Sequence, residues 1–336
     1  MASRPTPPAV PAIPRPRVAA GLRDAWRAGY GLAELRKDVL AGLTIGIVAV
    51  PLAMALAIAT GVPPQHGLYT AIIAGSVIAL TGGSRFNVSG PTAAFVVILL
   101  PIVQAYGLGG LLVATIMAGC ILVAMGFGRM GALIQFVPYP VVLGFTAGIG
   151  VVIATLQLPD FMGLAIPAAE SGSDYLGKLA AIVRGLPGLD PAELTLGLVT
   201  LAILLAWPRL KLAVPGPLVA LAVATLLAWV LNSLGWHIET IADRFSWQVG
   251  DVAGRGIPPL LPGFAFPWQF PGKDGAAMQL DFALFQALLG PAIAIALLAA
   301  IESLLCGVIA NGLTRTRHDP NSELIGQGIG NIVAPF

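Results

Sequence analysis

The sequence predicts an all-α integral membrane protein. Three observations carry this. The 336 residues are 57% hydrophobic and only 10% charged, whereas soluble domains carry about a quarter charged residues. Their mean hydropathy is +0.88. The apolar residues are gathered into runs close to the roughly 20 residues a spanning helix needs, and Lys and Arg recur at alternate ends of those runs.

Taken in order, residues 1–38 are rich in Pro and Arg ("RPTPPAVPAIPRPR") and hold no long apolar run. They read as a disordered tail leading into a short amphipathic helix near Leu22–Leu35. Spans follow at Val39–Thr60, Leu68–Thr81, Gly90–Tyr106, Leu108–Phe127, Ala132–Leu158, Leu194–Trp207, Val214–Gly235 and Phe282–Asn311, and a ninth begins near Leu324. Small residues in 41–59 and 144–154 are expected to let helices approach closely.

The N-terminal segment holds Arg4, Arg15, Arg17, Arg23, Arg27, Arg36 and Lys37, which places it in the cytoplasm by the positive-inside rule. Counting spans then puts Arg85, Arg129, Arg209, Lys211, Arg315 and Arg317 on the same side. The 159–193 and 236–281 loops fall outside. Seven spans precede the long loop, and an odd number leaves the following unit upside down, as in carriers built from inverted repeats.

Two features interrupt the apolar pattern. The first is "GGSRFNVSGPTAAF", Gly82–Phe95. With Arg85 at the cytoplasmic surface, Asn87–Ser89 climb into the bilayer before a helix starts at Gly90-Pro91-Thr92-Ala93. Irregular backbone at that depth must be buried in protein or line a cavity. A half-helix starting there, with Pro in its first turn, would aim its N–H groups at an anion. The competing reading is an ordinary cytoplasmic loop with the span beginning at Ala93. The second feature is Glu302, the one acidic residue inside these spans, roughly 15 Å from the cytoplasmic end of its helix at 1.5 Å per residue. A charged lipid-facing carboxyl there costs several kcal/mol, so Glu302 is expected to face the interior or a water-filled cavity. A protonatable carboxylate at that depth suits a proton-coupled carrier; the alternative is a permanently neutral Glu bonded to a neighbouring helix.

Other chemistries find little support. A net charge of +2 does not suggest nucleic acid as a partner. Cys120 and Cys306 lie in apolar runs and imply no disulfide framework; Cys306 reads as packing. His66, His237 and His318 read as solvated loop residues without metal-ligand spacing. Asn87-Val88-Ser89 matches a glycosylation sequon but falls inside or within the bilayer. Gly82-Gly83…Gly90 lacks the Gly-Lys-Ser/Thr of a phosphate loop. No catalytic set is visible within the spans, so neither enzyme activity nor a metal or cofactor is expected.

At these residues the chain resembles the SulP (SLC26) family of anion transporters. "DVLAGLTIGIVAVPLAMALAIATGVPPQHGLYTAIIAGSVIALTGGSRFNVSGPTAAFVV" is similar to the family's first three helices, "GALIQFVPYPVVLGFTAGIGVVI" to its fifth, and "AAIESLLCGVIANGLTRTRHDPNSELIGQGIGNIVAPF" to its eighth and the start of its ninth. Within the family the wording looks nearest to the proton-coupled C4-dicarboxylate carriers of bacterial inner membranes.

The resemblance implies a seven-plus-seven inverted repeat, with helices 1–4 and 8–9 in a core domain and helices 5–7 in a gate. A small anionic substrate (succinate, fumarate or aspartate, alternatively sulfate or bicarbonate) would sit between the N-terminal ends of the third and tenth helices, the third contributing Gly90, Pro91, Thr92 and Ala93. A short strand, Phe86–Ser89, would precede that helix. Leu52 and Leu56 of the first helix would face the site, in places where some family members carry a glutamine and an aromatic. Glu302 would be the coupling acid, for a proton or sodium. Full-length members are commonly homodimers. The tenth to fourteenth helices and the cytoplasmic STAS domain of the family lie beyond Phe336, so the expectation is a fragment or truncated product that does not transport alone. A nucleobase carrier and a non-transporting membrane scaffold or sensor are the competing functions.

Overall fold

The computed structural model describes residues 17–132, 139–166, 175–210, 212, 214–249, 252–273, 275 and 278–336. The expectation of a disordered tail over residues 1–16 therefore lies outside the described residues.

The N-terminal helix differs from the sequence expectation. Helix α1 spans Ala20–Arg27, and Gly29, in the left-handed region at φ 85°, turns the chain. Helix α2 then starts at Leu32, not Val39, and runs to Ala59. The Glu34 carboxylate accepts the Gly31 N–H at 3.2 Å, satisfying a donor at the helix start.

Helix α3, Pro64–Thr81, begins four residues earlier than the apolar run, because Pro64 suits a first helical position. Helix α4, Ala93–Phe127, is 35 residues long and breaks at Gly107 (φ 71°, ψ −175°). At 1.5 Å per residue an unbroken helix of this length would far exceed the roughly 30 Å hydrocarbon layer. The break restores the two spans read from the sequence. A side chain at Gly107 would strike the Gly272 carbonyl carbon, so the segment around Gly272 seats against the break.

Helices α5 (Tyr139–Met162), α6 (Tyr175–Gly185), α7 (Pro191–Leu210) and α8 (Gly216–Ser233) follow, then a single turn, α9 (Ile241–Arg244). Strands β1 (Ser246–Val249) and β2 (Val252–Arg255) pair antiparallel, with Ser246 opposite Arg255. Helix α10, Phe282–Thr314, is capped by Asp281, whose carboxylate accepts the Leu284 N–H at 2.7 Å. Helix α11, Pro320–Val333, begins four residues before the expected Leu324. Asp319 caps it by accepting from the Asn321 and Ser322 amides at 3.1 Å each, and Pro320 opens it.

The core lies where α4, α10 and α11 meet. Leu111, Ala114, Ala118 and Leu122 of α4 interdigitate with Leu288, Ala292, Ile295, Ala296 and Leu304 of α10 and Leu324 of α11. Helix α11 approaches α4 closely enough that a β-carbon on Gly119 would lie 2.7 Å from the Gly328 carbonyl oxygen, and one on Gly328 equally close to that of Gly119. Small residues permit such contact. The stretches expected to serve this purpose do so only in part. Ala53 and Ala57 are buried, but β-carbons at Gly42, Gly46, Gly144, Gly148 and Gly150 would meet open space. The reason is that α2 and α5 present much of their apolar surface outward, including Leu40, Leu43, Val141 and Val151.

Candidate functional site

A cavity of about 550 Å³ lies between α2, α3, the start of α4, α10 and α11. The segment before α4 forms one wall. Residues 84–92 carry no regular secondary structure, and Arg85 is exposed at their beginning. The expected strand Phe86–Ser89 is not formed. A strand needs a hydrogen-bonded neighbour, and among the described residues the one sheet is β1–β2. The side chains nevertheless alternate. Phe86 is 50% and Val88 66% exposed, whereas Asn87 and Ser89 are tied inward.

Asn87 Nδ2 donates to Glu323 Oε1 at 2.7 Å, and Gln327 Nε2 donates to Ser89 Oγ at 3.1 Å. Helix α4 starts at Ala93 rather than Gly90. Thr92 is its extended N-cap residue (φ −120°, ψ 150°), and its side chain does not cap the helix. Its hydroxyl instead donates to Glu302 Oε2 at 2.8 Å. Pro91 therefore precedes the helix instead of occupying its first turn.

Gly90, Pro91, Thr92, Leu56 and Glu302 all line the cavity. Ala93 and Leu52 are not part of its wall. Ala93 is already the first helical residue, and Leu52, one helical turn before Leu56, is 50% exposed on the outer side of α2. A β-carbon at Gly90 would find nothing within 4 Å, so the backbone there is open to the cavity. Glu302 faces the interior as expected of an intramembrane carboxyl.

The sequence reading missed several polar residues. Ser303, next to Glu302, donates to Glu323 Oε1 at 2.8 Å and accepts from Gln327 Nε2 at 3.0 Å. Glu323 lay just outside the ninth span as drawn, and no local pattern marks it; it is 1% exposed. Asn331 and Thr115 also line the cavity. Cys306, read as packing, does so too. His66 is not a solvated loop residue. The early start of α3 carries it into the cavity wall, edge-on to Phe270 with ring centroids 5.7 Å apart. His318 is also held: its Nδ1 lies 2.8 Å from Asn311 Nδ2, and its Nε2 is buried without a partner among the described residues. His237 is exposed.

Among the described residues lining the cavity there is no Lys or Arg. Its polar groups are hydroxyls, amides, one imidazole, one thiol and one carboxyl, set in an apolar wall. Such a site can hold a small ion by N–H and O–H donors, but it cannot neutralise one with a fixed cation.

Comparison with known proteins agrees with this architecture. Residues 35–336 match the sulfate permease family. The chain is 40% identical over 308 residues to YvdB of Bacillus subtilis (strain 168), provisionally named a sulfate transporter; the match covers 92% of this chain and 54% of YvdB. It is 32% identical over 310 residues to the bicarbonate transporter BicA of Picosynechococcus sp. (strain ATCC 27264 / PCC 7002 / PR-6), covering 89% of this chain and 50% of BicA. It thus spans about half the length of these curated relatives. The solved transmembrane domain of a cyanobacterial BicA superposes with a TM-score of 0.74 at 30% identity, covering 91% of this chain and 73% of that one. The overall structure of SLC26A9, at 20% identity and TM-score 0.70 over 93% of this chain and 49% of that chain, shares the fold. These relatives are membrane transporters, not enzymes. The chain belongs to the sulfate permease (SulP/SLC26) family of anion transporters.

Proposed function

We propose that the cavity is the anion site of a secondary active transporter working by alternating access, with sulfate or bicarbonate as substrate. The observation that carries this reading is the meeting of the uncapped start of α4 with Glu302 in a cavity whose described lining holds no Lys or Arg. Gly90 and Thr92 offer backbone N–H groups to the anion, Pro91, which has no N–H, fixes the backbone between them, and the helix start adds its dipole. Leu56 supplies apolar wall. The relatives named for sulfate and bicarbonate transport support the substrate class.

Glu302 supports a coupled mechanism. Two unit charges 4 Å apart interact by about 4 kcal/mol at an effective dielectric constant near 20. An anion entering beside an ionised Glu302 would be repelled by that order of energy. A cation arriving with the anion removes the repulsion, and a proton on the carboxyl is the simplest such cation; sodium is the alternative. Core helices α2–α4, α10 and α11 would move against gate helices α5, α7 and α8. The protein would work in a bacterial inner membrane with its N-terminus in the cytoplasm, where the Arg-rich segment belongs, and as a homodimer.

The test is isothermal titration of the purified protein in nanodiscs with sulfate, bicarbonate and succinate at two pH values. Binding of sulfate or bicarbonate, tighter at the lower pH, is expected. Preference for succinate over both would move the substrate to the C4-dicarboxylates. Absence of binding by all three would overturn the anion site.

A further inference from the structure

We propose that Glu323 is a positioning residue that holds the anion-facing segment 83–89 in shape, an inference that rests on the anion site proposed above. The carboxylate is 1% exposed, and every hydrogen bond it makes goes to this segment or to its support. Its Oε2 accepts the backbone N–H groups of Gly83 at 2.9 Å and Ser84 at 3.1 Å. Its Oε1 accepts from Asn87 Nδ2 at 2.7 Å and from Ser303 Oγ at 2.8 Å. Gln327, one turn further along α11, extends the support by donating to Ser89 Oγ and Ser303 Oγ.

Two oxygens thus serve four donors from two separate stretches of chain, segment 83–89 and α10. None of those donors is a cation, and among the described residues Glu323 has no ion-pair partner. A buried carboxyl whose acceptor sites are filled this way specifies geometry, because no apolar residue could hold four converging donors. What it specifies is the approach to Gly90 and Thr92. The segment has no strand partner and no helical bonds of its own; besides the Asp319 N–H donated to the Gly83 carbonyl at 3.1 Å and the Phe86 N–H donated to Ser84 Oγ at 3.3 Å, its conformation depends on these side-chain bonds. The glycines agree: a β-carbon on Gly83 would strike the Asp319 carbonyl oxygen, and one on Gly82 would lie 3.1 Å from Glu323 Oε2. The turn is built to receive the start of α11.

Glu323 does not line the cavity, so its effect on the anion is indirect. Glu323→Ala removes the acceptors for all four donors. Glu323→Gln keeps one oxygen, which can still serve the two backbone N–H groups, while its new NH2 faces Asn87 and Ser303. The two variants separate the turn from the segment beyond it.

The experiment is hydrogen exchange, read peptide by peptide across residues 80–95, together with sulfate titration in nanodiscs. Exchange over 83–89 should rise about tenfold or more in Glu323→Ala, as expected for the loss of charge-assisted bonds. In Glu323→Gln the rise should be confined to 86–89. The α4 core around Leu122 should be unchanged in both. Sulfate affinity should fall about tenfold in Glu323→Gln, but stay at the parent value in a Leu122→Ala control matched for loss of Tm. Unchanged exchange over 83–89 overturns the proposal, and so does raised exchange with parental sulfate affinity. If the parent itself binds no anion, the anion site is wrong, and the exchange measurement alone still decides whether Glu323 holds the segment.

Discussion

The hydroxyl of Thr92 donates to Glu302 Oε2 at 2.8 Å, joining the residue that opens α4 to the carboxyl in the middle of α10 across 210 positions of sequence. This bond links the anion-facing backbone to the acid proposed to carry the coupling charge. Glu302→Gln should therefore retain anion binding and lose its dependence on pH. Titration with sulfate at two pH values checks this, and a pH dependence equal to the parent's would exclude a coupling role for Glu302.

Thr92→Val keeps the shape and removes the hydroxyl. A hydrogen bond of this kind contributes about 1 kcal/mol net, so sulfate affinity should fall roughly fivefold. A larger fall would mean that Glu302, released from Thr92, interferes directly with the anion.

Gly90→Leu tests the backbone site more severely. Because a β-carbon there meets no atom within 4 Å, the added side chain enters the cavity rather than the core. Binding should be abolished while Tm changes little. Parental affinity in this variant would rule out the start of α4 as the site.

Gly21→Val tests the docking of the N-terminal helix. The Ala19 and Gly21 amides donate to the Thr81 and Gly82 carbonyls at 2.8 and 3.1 Å, and the Ala20 amide donates to Ser322 Oγ at 3.1 Å. A β-carbon on Gly21 would lie 2.6 Å from the Ser84 carbonyl oxygen. The substitution should release α1 and expose residues 17–27 to limited proteolysis, at a cost of roughly 1–3 kcal/mol in stability. A proteolysis pattern like the parent's would show that α1 docks elsewhere.

His318, in the connection between α10 and α11, carries a pH prediction. Burial holds its imidazole below the usual histidine range, against the opposing pull of the Glu323 and Asp319 charges. The unfolded chain therefore binds the proton more readily than the folded one. This contribution to stability is complete above the ordinary histidine pKa of about 6.5 and is lost as pH falls through the lower folded value. Tm should drop as pH is taken from about 7.5 to about 5, within the histidine range, and His318→Gln should flatten part of that drop. An identical slope in parent and variant would assign the pH dependence to other groups.

The sequence by itself determined the membrane class, the order of the spans and the two irregular points within them. Apolar runs and charge spacing are local properties, and the bilayer rewards them directly. Glu302 stood out for the same reason: a carboxyl in an apolar run is conspicuous whatever surrounds it. The tertiary structure decided which groups meet. It placed Thr92 against Glu302, left Leu52 and Ala93 outside the cavity, and drew His66 and Cys306 into its wall. It also buried Glu323 under segment 83–89, although that residue sits in an unremarkable "NSELIGQG" at a helix start. Hydrogen bonds spanning more than 200 residues leave no period in the sequence, and their geometry exists only once α11 has packed between α3 and α4.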